Sequence, residues 1–275
     1  MKAMILAAGL GTRLKPLTDT CSKALVELSG RTLLEITLTR LRTFGVTEAI
    51  INVHHFADQV IDYLKSKNNF GLRIEISRED DLLLDTGGGL KKAAWFFLED
   101  PKSLDEPFLL HNVDVISTID LRAMLQFHTE NRALATLAVQ SRASSRQLLF
   151  NNDLQLVGRR IENKDSVISS EARNPSSAHS ERFVPGESAF SSDSPLVTRH
   201  SPLPLAFSGI HTLSPRLLPL LTEGGVFSII DSYLRLSAQG QKIVAFRADQ
   251  YYWRDLGRPA DLAQAALDLQ QNVFL

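Results

Sequence analysis

Along the first 140 residues, short apolar runs alternate with segments whose apolar positions recur at helical spacing. Ala3–Ala8 is continuously apolar and reads as a buried strand; Thr32–Phe44 carries Leu33, Leu34, Ile36, Leu38 and Leu41 on one helical face; Ala49–Val53 reads as the next strand. The cycle repeats. Phe56–Lys67 is helical, Leu72–Ile76 alternates as a strand, Gly89–Leu98 is helical, and Pro107–His111 is a central strand ending at Asn112-Val113-Asp114. A helix over Leu121–His128 and a strand over Leu134–Val139 follow, then a hairpin over Gln147–Val157 that turns at Asn151-Asn152-Asp153. Such alternation predicts βαβ units, hence a three-layer α/β fold with a mainly parallel central sheet.

Between Lys164 and Pro204 the pattern stops: 11 serines and 5 prolines stand in 41 residues, with no apolar period. That composition cannot bury enough apolar surface to offset its ordering entropy, so the expectation is a disordered insertion in one domain spanning 1–275. A lid or partner-binding loop is the alternative reading. Order resumes at Leu205–Ile210 as a strand, then helices near Pro215–Leu221 and Ser228–Ala238, a strand at Ile243–Ala248 and a closing helix from Pro259 to about Gln271. No internal repeat is evident.

Charge changes the picture mainly by exclusion. With 30 Lys+Arg against 31 Asp+Glu, no global field draws the 275-residue chain to nucleic acid or to an anionic membrane, and any anion site must be local. One cysteine, Cys21, excludes an intramolecular disulfide framework and a Cys-rich zinc module. The apolar run Ala3–Ala8 is cut by Gly9, Gly11 and Arg13 before a leader can form, and no run reaches the ~18 apolar residues of a membrane helix. These features lead to the expectation of a cytoplasmic protein.

The most informative stretch runs from Leu6 through Ala7, Ala8, Gly9, Leu10, Gly11, Thr12, Arg13, Leu14, Lys15, Pro16 and Leu17 to Thr18, followed by Lys23. A buried strand entering a Gly-x-Gly turn places free N–H groups at the sheet's carboxyl edge, where polyphosphate can approach backbone closely. Arg13 adds a planar fork and Lys23 a mobile point charge. A dinucleotide-binding turn fails, because Leu14 stands where its third glycine belongs, and no Gly-Lys-[Ser/Thr] is present.

These residues resemble the signature of the sugar-1-phosphate nucleotidyltransferases, and the resemblance extends through most of the chain outside the insertion. It looks closest to bacterial uridylyltransferases of N-acetylmuramate 1-phosphate and guanylyltransferases of mannose 1-phosphate. The resemblance implies a Rossmann-like nucleotide-diphospho-sugar transferase fold, a nucleoside triphosphate and a sugar 1-phosphate as partners, and Mg²⁺ as cofactor. It also implies that Ala8 to Arg13 and Lys23 bind the nucleotide.

Further motifs match the same family. Asp85-Thr86-Gly87-Gly88-Gly89 precedes a helix, where three glycines cost about 1 kcal/mol each, so a close backbone approach or a flexible turn is implied. Thr86, Gly87 and Gly88 match a segment that contacts base and sugar. Asp114, after the Phe108–Leu110 strand, reads from sequence as a strand-end cap or a Mg²⁺ ligand; the resemblance selects the metal, with Asn112 near the sugar phosphate. Val113 replaces a glycine there, so a positive φ would be disfavoured and either the turn or the sugar pocket must differ. Asp255, within Tyr251 to Gly257, matches the second carboxylate on the metal. Ser208 and Gly209, in Phe207-Ser208-Gly209-Ile210, match a strand lining the sugar site. His54-His55 reads as strand-end residues rather than ligands, since neighbours on a strand face opposite ways.

The implied chemistry is in-line attack of a sugar phosphate on the α-phosphorus of a nucleoside triphosphate, with Arg13, Lys23 and Asp114 carrying catalysis. Uridine with an amino sugar is the first expectation. Guanosine with mannose, a cytidylyltransferase acting on a phospho-alcohol such as phosphocholine, and a non-catalytic nucleotide-sugar sensor are alternatives. Ser22 and Ala24 replace prolines flanking the family's lysine, which predicts a less rigid loop. The family's second sugar-side lysine cannot be placed; Arg159 or Arg160 is the substitute expected.

Overall fold

The computed structural model describes residues 1–99, 105–161 and 201–271. The expected insertion at 164–204 lies outside the described residues except for 201–204.

In the first half, β1 (Lys2–Leu6) leads through a long loop to the small hairpin β2 (Glu27–Leu28) and β3 (Arg31–Thr32), then α1 (Leu33–Thr43) and β4 (Glu48–Val53). Next come α2 (Ala57–Ser66), β5 (Arg73–Arg78), α3 (Asp85–Lys92), α4 (Ala94–Leu98), β6 (Phe108–Asn112), β7 (Val115–Ser117), α5 (Leu121–Asn131) and β8 (Ala135–Gln140). The second half contributes β9 (Arg146–Phe150), β10 (Leu156–Ile161), β11 (Leu203–Leu213), α6 (Ile229–Ala238), β12 (Ile243–Arg247), β13 (Trp253–Asp255) and α7 (Pro259–Gln270).

Strands β5, β4, β1 and β6 form a parallel run in that order, and β12 pairs β8 in parallel. Between these two blocks lies β11, antiparallel to both β6 and β8. Strand alternation divides the core in two. Ala3, Ile5, Ala49, Ile51 and Leu109 face one cluster with Leu34, Leu38, Val60, Met124 and Ala265, and so with α1, α2, α5 and α7. Met4, Ile50, Phe108 and Leu110 face the other with Leu90, Phe96, Phe97 and Tyr233, from α3, α4 and α6. The fold is therefore the expected three-layer α/β sandwich.

Local chemistry sets the helix starts. Thr32 Oγ1 accepts the Glu35 amide, Asp120 accepts from Arg122 and Ala123, and Ser228 accepts from Ile230, each satisfying donors a helix leaves free.

Three differences from the sequence pattern matter. The helix expected from Gly89 begins at Asp85, because α3 packs so tightly that side chains at its glycines would strike protein. A Cβ on Gly87 would lie 2.3 Å from the Phe227 ring, and one on Gly88 2.6 Å from the Gly225 carbonyl oxygen. The expected strand at Leu205–Ile210 runs from Leu203 to Leu213, with a register shift between Phe207 and His211 and Gly209 at φ +74°. Finally, β7 and β13 form a two-stranded ribbon, pairing Asp255 with Val115, which the sequence pattern did not announce.

Candidate active site

The carboxyl ends of β1, β4 and β6 open into one cavity of about 570 Å³. Its lining includes Ala8, Gly9, Arg13, Lys23, Thr86, Asn112, Val113 and Asp114. This is the edge of a parallel sheet at which ligands bind in open α/β folds.

The loop after β1 is a tight turn that leaves its backbone exposed beside the cavity. Gly11 sits at φ +65°, where its carbonyl accepts both the Leu14 amide and the Thr18 hydroxyl at 2.8 Å. A Cβ there would meet Thr18 Cγ2 at 2.8 Å, so glycine is required by conformation and by space. Gly9, Leu10, Thr12 and Arg13 are exposed on the rim, and nothing lies within 4 Å of a Cβ built on Gly9. Hydrogen bonds hold the Lys23 loop, which was expected to be less rigid because Ser22 and Ala24 stand in place of prolines. Gln59 bonds the Ser22 amide and the Thr20 carbonyl, and Ser22 Oγ accepts the Ala24 amide. Ala24 is itself wholly buried.

Four charged groups converge. Lys23 Nζ donates to Asp114 Oδ2, and Arg13 Nη2 lies 4.0 Å from Asp255 Oδ2. The ribbon brings the two carboxylates together: the Leu256 amide donates to the Asp114 carbonyl and the Gly257 amide to Asp255 Oδ1. Burial, and next the charge of Asp114, push the Asp255 carboxyl above its ordinary range, while the Gly257 amide, Lys23 and Arg13 oppose them. Two hard carboxylates repelling one another form a donor set that a divalent cation would relieve. Among the described residues no three His, Cys, Asp or Glu side chains gather as a metal cluster. As hard oxygen donors, the two carboxylates are of the kind Mg²⁺ takes when phosphate and water complete its shell.

Matching residues 2–147, a model of the nucleotidyl transferase family covers more than half of the chain. The chain belongs to the nucleotidyl transferase family. It is 48% identical over 101 residues to the N-acetylmuramate alpha-1-phosphate uridylyltransferase of Caulobacter vibrioides, covering 36% of this chain and 42% of that protein. The Neisseria meningitidis enzyme of the same name is 40% identical over 126 residues, 46% of this chain and 52% of that protein. A mannose-1-phosphate guanyltransferase of Aspergillus oryzae is 35% identical over 140 residues, 50% of this chain and 37% of that protein. The chain thus spans about half or less of the length of these relatives. In fold it resembles a UDP-glucose pyrophosphorylase complexed with UDP-glucose, with a TM-score of 0.72 at 17% identity over 98% of both chains. The inositol-1-phosphate CTP transferase of T. maritima gives 0.65 at 17% identity, covering 99% of this chain and 95% of that one.

Within this member of the family the other expected residues divide. Asn112 lines the cavity, and Gly209 makes room for it, since a Cβ there would lie 2.9 Å from Asn112 Nδ2. Val113 is not among the residues with positive φ; its amide donates to the Leu6 carbonyl, so the turn differs from one that needs glycine. Ser208 is fully buried with its hydroxyl unpartnered, so its side chain offers nothing to a ligand. Gly87 and Gly88 are buried with both amides on the Phe227 carbonyl, which places them behind the wall rather than on it. Thr86 does line the cavity, although its Oγ1 already accepts the Ile229 amide. Arg159 pairs with Asp231 instead of standing free for a sugar phosphate, while Arg160 is exposed on β10. His54 Nδ1 bonds the Glu79 carbonyl, a strand-end role as read from sequence.

Sequence reasoning missed Asn52 and Glu79. Asn52 Oδ1 accepts the Ala7 amide at 2.8 Å, its Nδ2 donates to Glu79 Oε1 at 2.7 Å, and Glu79 Oε2 accepts the Leu84 amide at 2.8 Å. One buried chain of bonds thereby fixes the phosphate loop against the segment entering α3. A polar residue at the end of an otherwise apolar strand was the only available signal.

Proposed function

We propose that this protein transfers a nucleotidyl group from a nucleoside triphosphate to a sugar 1-phosphate, releasing pyrophosphate. The observation that carries this reading is the convergence of Arg13, Lys23, Asp114 and Asp255 beside the glycine turn at the mouth of one cavity.

The glycine turn, Ala8 to Arg13, receives the triphosphate on its exposed backbone. Arg13 holds the departing β- and γ-phosphates, and Lys23 exchanges Asp114 for the α-phosphate and the incoming phosphate oxygen. The acceptor phosphate is already ionised at pH 7, so these residues act by alignment and by stabilising charge at the α-phosphorus. No protein nucleophile is required. Asp114 and Asp255 would hold Mg²⁺, which when bound neutralises phosphate charge. Thr86 borders the nucleoside and Asn112, beside Gly209, the acceptor. Both substrates belong to the cytoplasm, where we place the protein.

The base and sugar we favour are uridine and an amino sugar, because relatives with 48% and 40% identity are uridylyltransferases of N-acetylmuramate 1-phosphate. Guanosine with mannose is the second choice, on the 35% match. A phosphocholine-like acceptor is the third choice, since the relatives at 48%, 40% and 35% identity are transferases of sugar 1-phosphates. A matrix of nucleoside triphosphates against sugar 1-phosphates, with Mg²⁺ and pyrophosphate release as readout, tests the reading. Release with uridine triphosphate and an amino-sugar 1-phosphate is expected; no release in any well overturns it and leaves a nucleotide-sugar sensor.

A further inference from the structure

Among the described residues, the half-buried Arg142 forms no ion pair with an acidic side chain. It follows β8, and its guanidinium carbon lies 3.7 Å from the centre of the Trp253 ring while Nη2 donates to the Phe207 carbonyl at 2.7 Å. Trp253 Nε1 in turn donates to the Ser208 carbonyl at 2.7 Å. Arg142, Trp253 and the irregular part of β11 are therefore one unit, and that unit ends at Gly209 against Asn112, on the cavity wall.

Only one of the three guanidinium nitrogens is used by this staple among the described residues. Nε is buried without a hydrogen-bond partner. The charge acting on the group is that of Asp255, two residues beyond Trp253 on the same face of β13, and burial outweighs its pull. A half-buried cation with one orphaned donor carries a desolvation cost that an anion would offset. If Arg142 served only to staple β11, a neutral donor would bond the Phe207 carbonyl without that cost.

We propose that Arg142 binds an anionic group of the acceptor, its planar fork matching either a phosphate or a carboxylate. This rests on the acceptor being a sugar 1-phosphate, as argued above. The group is either the 1-phosphate itself or a carboxylate carried elsewhere on the sugar, such as the lactyl group that distinguishes N-acetylmuramate 1-phosphate from N-acetylglucosamine 1-phosphate.

The test is calorimetric binding of those two sugar phosphates to the full chain, with a non-hydrolysable nucleoside triphosphate analogue present, for the wild type, Arg142→Met and Arg142→Lys. Arg142→Met keeps the apolar contact with Trp253 and removes the charge; melting temperatures establish that each variant is folded. The expected result is acceptor binding weakened at least about tenfold in Arg142→Met, partly restored in Arg142→Lys, with analogue affinity held within about twofold. Equal loss for both acceptors assigns the 1-phosphate, and loss confined to the muramate compound assigns the carboxylate. Unchanged acceptor binding, equal weakening of analogue and acceptor, or no acceptor binding by the wild type each overturns the inference. Acceptor binding that depends on Arg142 without pyrophosphate release would instead count against nucleotidyl transfer alone.

Discussion

Lys23 and Asp114, 91 positions apart in sequence, form an ion pair whose side chains are only 13% and 12% exposed, and it faces the cavity. Such a pair gives Lys23 two separable jobs, one in the fold and one in the reaction. Removing one partner of a buried pair typically costs about 3–5 kcal/mol, because the other charge is left behind. Removing a preorganised positive charge from a phosphoryl site costs about two to three orders of magnitude in rate. Lys23→Ala should therefore lose about 100- to 1,000-fold in turnover and also melt earlier. Lys23→Ala/Asp114→Ala should regain part of the stability and none of the rate. A Lys23→Ala protein that turns over normally sinks the catalytic assignment.

Not all glycines of the site serve the ligand. Gly88→Ala drives a Cβ to 2.6 Å from the Gly225 carbonyl, a backbone atom that cannot rotate away, while nothing lies within 4 Å of a Cβ on Gly9. Overpacking of this kind costs about 1–3 kcal/mol. Gly88→Ala should lower the melting temperature clearly. Gly9→Ala should leave it nearly unchanged and instead raise KM for the triphosphate, because a methyl group would intrude on the phosphate path. The reverse pattern in melting and KM would show that the roles assigned to the two glycines are interchanged.

The contrast explains what was legible in the sequence. The βαβ alternation, the glycine turn and the strand-end Asp114 are short-range patterns, so the layers and Arg13, Lys23 and Asp114 were visible as candidates, while Asp255 was reached only through the family motif around it. The reason for Gly87 and Gly88 was not, because Phe227 and Gly225 meet them from some 140 positions away. Nor was Arg142, an unremarkable arginine in a loop until Trp253 stacks on it. The ribbon of β7 with β13 was hidden for the same cause: each strand is only 3 residues long, too short to show a period. Ser208 misled because motif matching does not say which way a side chain points along an irregular strand.

Acid should unfold this protein through its histidines. His111, His128 and His211 are buried, and burial is the leading cause that holds them at about 4, 4 and 3, below the usual 6.5. Each stays neutral in the fold but takes a proton in the unfolded chain once the pH falls below 6.5. The stability they contribute is complete above that pH and is lost progressively down to about pH 4. At about 1.4 kcal/mol per unit, His128 alone would remove about 3 kcal/mol. Urea unfolding at pH 7, 5.5 and 4.5 should show falling stability, and His128→Gln, which keeps a polar group near Thr136, should flatten the slope. Equal midpoints at all three pH values would contradict this account.

Glu79 offers a way to separate holding the fold from holding the nucleotide. Its two oxygens accept from Asn52 and from the Leu84 amide, and Asn52 passes the restraint on to Ala7 at the start of the phosphate loop. Even Gly89 is shaped by this clasp, since a Cβ there would lie 2.8 Å from Asn52 Nδ2 and 2.9 Å from Glu79 Oε1. Glu79→Gln keeps the size but leaves one acceptor where two donors converge, and turns an NH₂ toward a donor. A buried donor left unmatched costs about 1–3 kcal/mol. Leu83 before α3, and Asp85 and Thr86 in its first turn, lie on the cavity wall, and Ala8 and Gly9 follow Ala7, so both sides of this end of the cavity should loosen together. The expected phenotype is a lower melting temperature with a raised KM for the triphosphate and an acceptor KM close to wild type. A lowered melting temperature with both KM values unchanged would confine Glu79 to the fold.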